Sequence, residues 1–177
     1  MTDAIDLGDA LDVVVASLAA QFPSFKTVAA EDESRSELKV PALIVQMSEI
    51  EPSPDTDVHT GQLPCFVRFE ARIVLGNRTA KVRREVVKAA GAIATFIHSN
   101  RLGVEWGPAV IGAIEPDEFS PIANKFDVWR IEWVHEANLG DSYFVNDSVT
   151  PTELLISFAP EIGPDHEGDY VSGLPNV

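Results

Sequence analysis

The sequence has one cysteine, few basic residues and no long hydrophobic run. Cys65 is the only thiol among 177 residues, so this sequence forms no internal disulfide. It stands on the apolar side of a predicted strand, where we interpret it as a small buried hydrophobe. The longest apolar run, residues 13–20, is too short to cross a bilayer. The first residues carry acids where a secretory signal carries positive charge. These features predict a protein that is made in a cytoplasm and binds no membrane.

Positive charge is scarce as well. Thirteen Lys and Arg stand against twenty-eight Asp and Glu, which gives a formal net charge of −15. Such acidity argues against a general binder of nucleic acid or of anionic membranes, and it favours partners with basic patches. The apolar and charged fractions are those of an ordinary globular protein, and the length predicts one domain with peripheral segments.

No pattern typical of catalysis or phosphate binding is present. The four histidines are His59, His98, His135 and His166. None stands at ligand spacing from another, and the sequence has neither a nucleophile elbow nor a phosphate-binding glycine loop. Glu70 and Glu132 lie in the middle of predicted strands and could form an acid–base pair. Arginines at 68, 72 and 130 favour salt bridges instead. We therefore expect a protein that is not an enzyme and that uses no cofactor or metal.

The most regular part of the chain is residues 64–100, which predict a strand followed by a long helix. Apolar side chains alternate with Arg68, Glu70 and Arg72, as in a half-buried strand. From Val82 onward the apolar residues recur at spacings of three and four, which is the helical period.

A basic cluster marks the start of this helix. Its members are Arg78, Lys81, Arg83, Arg84 and Lys88. One interpretation is a contact surface for an acidic partner, which in so acidic a chain includes a second copy of itself. The other is a solvated helix face with local pairs, such as Lys88 or Arg84 with Glu85.

The other elements follow from the same periodicities. They are a helix over 4–22, a polar connector over 24–39, and strands over 40–50, 104–115 and 125–135. The whole predicts an α+β domain of order α-β-β-α-β-β, with a four- to five-stranded mixed or antiparallel sheet packed with two helices. The long helix is a crossover, so we expect the strands before and after it to be parallel.

Residues 51–63 form a long connection between two strands, with Pro, Gly and acids. Loops of this length are often binding loops, so Asp55, Asp57 and His59 are candidate partner-binding residues. Their alternation also resembles a metal site. We do not favour that interpretation, because an unstructured loop offers no preorganised ligand geometry.

The last part of the chain differs from the rest. We divide the sequence into a domain over 1–144 and an acidic C-terminal extension over 145–177. Residues 141–177 contain seven acids and no Lys or Arg. A short apolar run, 154–159, predicts a fifth strand, and its apolar side chains predict that the extension docks on its own domain or on a neighbouring subunit.

The layout resembles that of the tail terminator, or tail completion, proteins of long-tailed bacteriophages and phage-like particles. The stretches that carry the resemblance are Gln21–Phe25, Pro41–Val45, Phe66–Leu75 with the helix after it, and Trp129–Glu136 followed by Leu139-Gly140. The resemblance covers roughly residues 4–144. It lies in the order of elements and in the general character of the sequence, and no catalytic motif contributes to it.

The resemblance implies a structural role in the virion. Members of the family form a hexameric ring at the head-proximal end of the tail tube, stop its polymerisation and present the surface that joins the head connector. It thus implies three partners: other copies of this chain, the tail tube protein and a connector or neck protein. DNA passes through the ring only as cargo. Such a protein is made in the host cytoplasm and resides in the virion tail.

Two alternatives stay open beside the ring-forming terminator. One is another structural part of the same machinery, such as a neck or tube-like protein. The other is a small cellular α+β enzyme or ligand-binding module.

Overall fold

The computed structural model describes residues 7–31, 38–117, 126–144 and 155–172. The chain divides into two compact units, residues 1–143 and 144–177. The described part of the first unit contains two α-helices, α1 (Leu7–Gln21) and α2 (Val82–Ile97), and one five-stranded sheet. Its strands are β1 (Thr27–Ala30), β2 (Ala42–Pro52), β3 (Leu63–Gly76), β4 (Val110–Pro116) and β5 (Phe126–Leu139). The predicted α+β class is confirmed. Neither helix combines the length and the apolar character needed to span a membrane.

The sheet is mixed, with strand order β1-β2-β3-β5-β4. β1 runs parallel to β2, and every other neighbouring pair is antiparallel. β3 and β5 pair along their whole length, from Leu63 opposite Leu139 to Gly76 opposite Phe126. Because β3 and β4 both run antiparallel to β5, they are parallel to each other, as predicted for strands joined by a helix. β5 lies between them.

The main core lies on one face of this sheet, beneath both helices. The predicted apolar face of β3 is buried from Cys65 to Leu75, and residues of α1 and α2 belong to the same cluster. Phe69 stacks on Trp133 of β5 with ring centroids 5.4 Å apart. Such pairs add about 0.5–1.5 kcal/mol to the gain from burial alone. The alternation in the sequence therefore marks the layer to which both helices are fixed.

Both described helices lie on the first face, so the second face carries no described helix, and we call it the open face. A small second cluster of buried residues, Ala42, Ile44, Val74 and Val128, covers one end of this face. Beyond it the face carries charged side chains of β3 and β5, which pair with one another as described below. The prediction that both faces of residues 40–50 are covered holds for Ala42–Val45, which are buried, while Ser48 to Pro52 are exposed.

Two strand predictions were wrong. The connector predicted over 24–39 contains β1, whose four residues are all half-buried and so show no alternation. The observed order of the first unit is thus α-β-β-β-α-β-β. The strand predicted from residue 104 begins only at Val110, because Val104 and Trp106 are buried by packing within a loop rather than by strand pairing.

The second unit contains a two-stranded antiparallel sheet, β6 (Leu155–Ile156) and β7 (Val171–Ser172), with a 3-10 helix at Pro164–Asp169 between them. The strand predicted over 154–159 is therefore limited to two described residues, and it does not join the main sheet. Residue 154 lies outside the described ranges. The docking of this extension stays a prediction.

Candidate functional site

The basic cluster lies at the turn where β3 leads into α2. The chain turns as the amide of Thr79 donates to the carbonyl of Gly76 at 2.9 Å. Lys81 caps the helix in the left-handed region, with φ 56°, and its carbonyl accepts the amides of Arg84 and Glu85 at 2.9 and 3.1 Å. The turn and the first helical residues therefore gather the cluster at one end of the sheet.

All five cations of the cluster are exposed. The ammonium of Lys88 lies 3.0 Å from Oε1 of Glu85, so the predicted local pair with Glu85 is confirmed for Lys88. Within the part of the chain that the structure describes, the other four have no carboxylate within 4 Å. Those four are Arg78, Lys81, Arg83 and Arg84. Exposed cations without internal partners are free to bind an acidic surface.

A hollow of about 620 Å³ opens beside the cluster. Val82 and Val87 of α2 form one wall, and Phe126 and Trp129 of β5 form the other. The guanidinium-bearing residue Arg83 also lines it. The carboxylate-bearing residues Asp117 and Asp127 line it as well, so the hollow combines apolar walls with charges of both signs.

The loop between β2 and β3 has a defined geometry, contrary to the expectation of an unstructured segment. Pro54–Thr56 form a 3-10 turn, and Asp57 Oδ1 accepts the amide of His59 at 2.7 Å. The amide of Tyr143 donates to the carbonyl of Thr60 at 2.8 Å, which ties the loop to the chain after β5. Across the described ranges, no three His, Cys, Asp or Glu side chains group closely enough to hold a metal ion.

The two candidate sites lie at opposite ends of β3. The loop with Asp55, Asp57 and His59 precedes Leu63, whereas the basic cluster follows Gly76. At about 3.3 Å per residue, this strand holds the two sites about 45 Å apart. The structure therefore does not bring them together within one chain.

Ion pairs cross the open face of the sheet between the two ends. Glu70 lies 3.4 Å from Arg72 and 3.6 Å from Arg130, and Arg130 lies 3.1 Å from Glu132. Nε of Arg72 lies 3.3 Å from Asp117. The prediction that Glu70 and Glu132 are salt-bridge partners is confirmed. Both carboxylates are therefore ion-pair partners of guanidiniums on the sheet.

Sequence reasoning overlooked His135. Its side chain is fully buried on the helix-covered face, one step along the alternation from Trp133. Nδ1 lies 2.8 Å from the carbonyl of Gly107, and Nε2 accepts the indole N–H of Trp133 at 3.1 Å. Burial lowers the pKa of His135 from its usual value, and the hydrogen bond to Gly107 opposes that shift. The continued alternation after Trp129 and Ile131 was the signal that could have identified it.

Comparison with known proteins gives no further guide to this site, since no protein-family model matches the sequence and no curated protein matches it significantly.

Proposed function

We propose that this chain is a structural subunit of a long-tailed phage or phage-like particle, and specifically a tail terminator. In this role it forms a ring on the head-proximal end of the tail tube, stops tube polymerisation and presents the surface to which the head connector binds. Its partners are other copies of itself, the tube protein and the connector, and DNA passes through the ring as cargo. The resemblance of the sequence layout to that family is the source of the proposal.

The observation that carries the proposal is the basic cluster. Four exposed cations without carboxylate partners among the described residues stand at one end of a chain with net charge −15. A concentrated positive surface on an acidic protein attracts acidic protein surfaces and steers their approach. A ring subunit needs such an asymmetric surface, because a heterologous interface joins two different patches of neighbouring copies.

The decisive experiment is electron microscopy of particles that are produced without this protein. We expect overlong or irregular tails that do not join heads, because nothing then stops the tube or bridges it to the connector. Particles complemented with the wild-type gene are the control and are expected to regain tails of uniform length. Normal tails in the absence of the protein would contradict the proposal.

A tube-like protein is the alternative, and it differs from a terminator in the assembly that it finally forms. A tube protein polymerises into filaments, whereas a terminator stops at one closed ring. Light scattering over a range of concentrations distinguishes a limiting mass from open-ended growth. We expect a limiting mass that is a small multiple of the 19.2 kDa chain.

A further inference from the structure

The positive charge at one end of the main sheet is not limited to the basic cluster. The amide of Lys26 donates to the carbonyl of Pro41 at 2.8 Å, and Thr27 Oγ1 donates to the carbonyl of Lys39 at 2.9 Å. Both contacts lie where β2 begins, beside the last residues of β3. Lys26 and Lys39 therefore join the basic cluster at this end, which we call the basic end.

The basic end holds seven of the eleven Lys and Arg residues that the structure describes. Among the residues that the structure describes, three acids lie nearby. Glu85 is paired with Lys88, and Asp117 with Arg72. Asp127, half-buried in β5, is the third. The excess of positive charge at this end is therefore not cancelled by the acids described there.

The opposite end of the sheet, where β2 and β5 finish and β3 begins, is acidic. Seven exposed carboxylates gather there, and we call this the acidic end. They are Glu49, Glu51, Asp55, Asp57, Glu105, Glu136 and Asp141. Two bases stand among them: Arg68, which is paired with Glu49 at 3.1 Å and Glu51 at 3.7 Å, and the exposed Arg101.

Apolar groups at the two ends are complementary as well. At the acidic end, Val58, Leu63 and Tyr143 are exposed large apolar side chains, with Tyr143 80% exposed. At the basic end is the hollow of about 620 Å³, which has partly apolar walls and is also lined by Arg83, Asp117 and Asp127. The exposed apolar side chains of the acidic end thus have a partly apolar concave surface to contact at the basic end, and the exposed cations beside it can pair with the surrounding acids.

We propose that the acidic end of one copy of this chain docks on the basic end of a second copy. The two ends are about 45 Å apart on one rigid strand, so they do not meet within a chain. They differ from each other, so the contact is heterologous and leaves one free end of each kind for the next copy. The closure of such a series into a ring rests on the proposed function.

The test reverses charge at each end of the full-length chain. One variant carries R83E and R84E at the basic end, and the other carries D55K and E136K at the acidic end. All four side chains are exposed and have no ion-pair partner within the described ranges. We expect each variant alone to self-associate at least about tenfold more weakly than wild type, measured by sedimentation velocity.

Mixing the two variants in equal amounts is the sharper measurement. In the mixture, the reversed basic end of one variant meets the reversed acidic end of the other, and the two remaining ends are both wild type. Association is therefore expected to return toward the wild-type value. A mixture that stays as weak as its components would overturn the proposal, as would a wild-type chain that stays monomeric at every concentration.

A matched control separates position from net charge. R84E and R101E change net charge by the same amount, and both residues are exposed. R84E removes a cation from the basic end, whereas R101E makes the acidic end more acidic. We expect R84E alone to weaken association. Equal weakening by both would mean that general repulsion acts rather than this contact.

Failure of this contact is distinguishable from failure of the proposed function. If the chain assembles but none of the reversals weakens it, the docking of these ends is overturned, and tail length in particles lacking the protein still decides the terminator role. If the mixture restores assembly while particles that lack the protein have normal tails, the contact stands and the terminator role is overturned.

Discussion

At His135, the surroundings fix a single protonation state. The indole nitrogen of Trp133 is only a donor, so Nε2 of His135 accepts from it, and the ring proton sits on Nδ1 and is donated to the carbonyl of Gly107. Phe69 and Trp106 pack against the same ring with centroids 5.8 and 6.1 Å away. A second proton on the imidazole would set an N–H against the N–H of Trp133. This buried histidine is therefore neutral for structural reasons.

The fold should lose stability in mild acid because of this residue. Burial lowers the folded-state pKa of His135 below the ordinary value of 6.5, which the unfolded chain retains. The contribution of neutral His135 to the free energy of unfolding is therefore complete above about pH 6.5. It is lost as the pH falls toward the folded-state pKa. Urea unfolding at about pH 7.5 and about pH 5.5 measures the loss.

Substitution identifies the responsible residue. H135Q should cost about 1–3 kcal/mol at neutral pH, because a buried hydrogen-bonded pair is broken, and it should reduce the acid-dependent loss. H98Q, at an exposed position, is the control and should retain the wild-type pH dependence. An unchanged slope in H135Q would assign the acid sensitivity elsewhere.

Gly61 is required by the loop between β2 and β3. It has φ +81°, and a Cβ atom placed there would overlap the ring of Tyr143. We expect G61A to destabilise the protein by about 1–3 kcal/mol, through backbone strain and through displacement of the tyrosine.

The matched control is G140A. Gly140 has a similar φ of +94°, but nothing lies within 4 Å of a Cβ atom placed at that position. Thermal unfolding should show a smaller loss for G140A, which reports backbone strain alone. Adding Y143A to G61A should remove the extra loss of stability that G61A shows relative to G140A. Equal losses of stability at both glycines would mean that the ring of Tyr143 moves aside without lowering stability.

At the scale of elements, the ion pairs on the open face hold β3 and β5 in register. The side chain of Glu70 is only 12% exposed and contacts Arg72 and Arg130, whereas Glu49 is 56% exposed and pairs with Arg68 alone. Removing the charge of Glu70 from this shielded network takes one counter-charge from two guanidiniums at once, while Arg72 keeps Asp117 and Arg130 keeps Glu132.

We therefore expect E70Q to cost about 1–3 kcal/mol and E49Q less than about 1 kcal/mol, both measured by urea unfolding. Both substitutions remove one negative charge and keep the side-chain shape, so the difference reports the environment. Equal costs would show that the network on the open face contributes no more than an ordinary surface pair.

The elements that sequence predicted best are those in which one face is buried and the other is not. The alternation of β3 and the helical stripe of α2 meet that condition, and both lie where the sequence placed them. β1 does not, since Thr27–Ala30 are half-buried on both sides and pair in parallel with a strand twelve or more residues away. Val104 and Trp106 are buried two positions apart in a loop, and this spacing resembles the alternation of a strand. The strand was therefore predicted to begin too early.

The candidate sites were predictable as residues, and so was their separation along the chain. Five bases in eleven positions are visible in the sequence, and so are the acids of the loop. Their placement at opposite ends of one strand follows from the predicted order of loop, strand and helix, and the observed bounds of β3 agree with it. The addition of Lys26 and Lys39 to the basic end depends on the contacts of β1, the strand that the sequence did not predict.

At the scale of the whole molecule, self-association should be sensitive to salt. The contact proposed between the acidic and basic ends depends on exposed charges, which are screened as the Debye length falls from about 14 Å at 50 mM to about 4 Å at 500 mM ionic strength. Sedimentation velocity across that range should show weaker association as salt rises. Association that strengthens with salt would point to an apolar interface instead.

The position of β5 has a consequence for how the chain is made. β5 is the last strand of the main sheet in sequence, yet it lies between β3 and β4 and supplies all fourteen partners of β3 on that side. A nascent chain that ends before residue 126 therefore leaves the edge of a long apolar strand unpaired, which is a template for aggregation. The centre of the domain closes only after translation has passed residue 139, so residues 1–125 must be kept from associating with other chains until then.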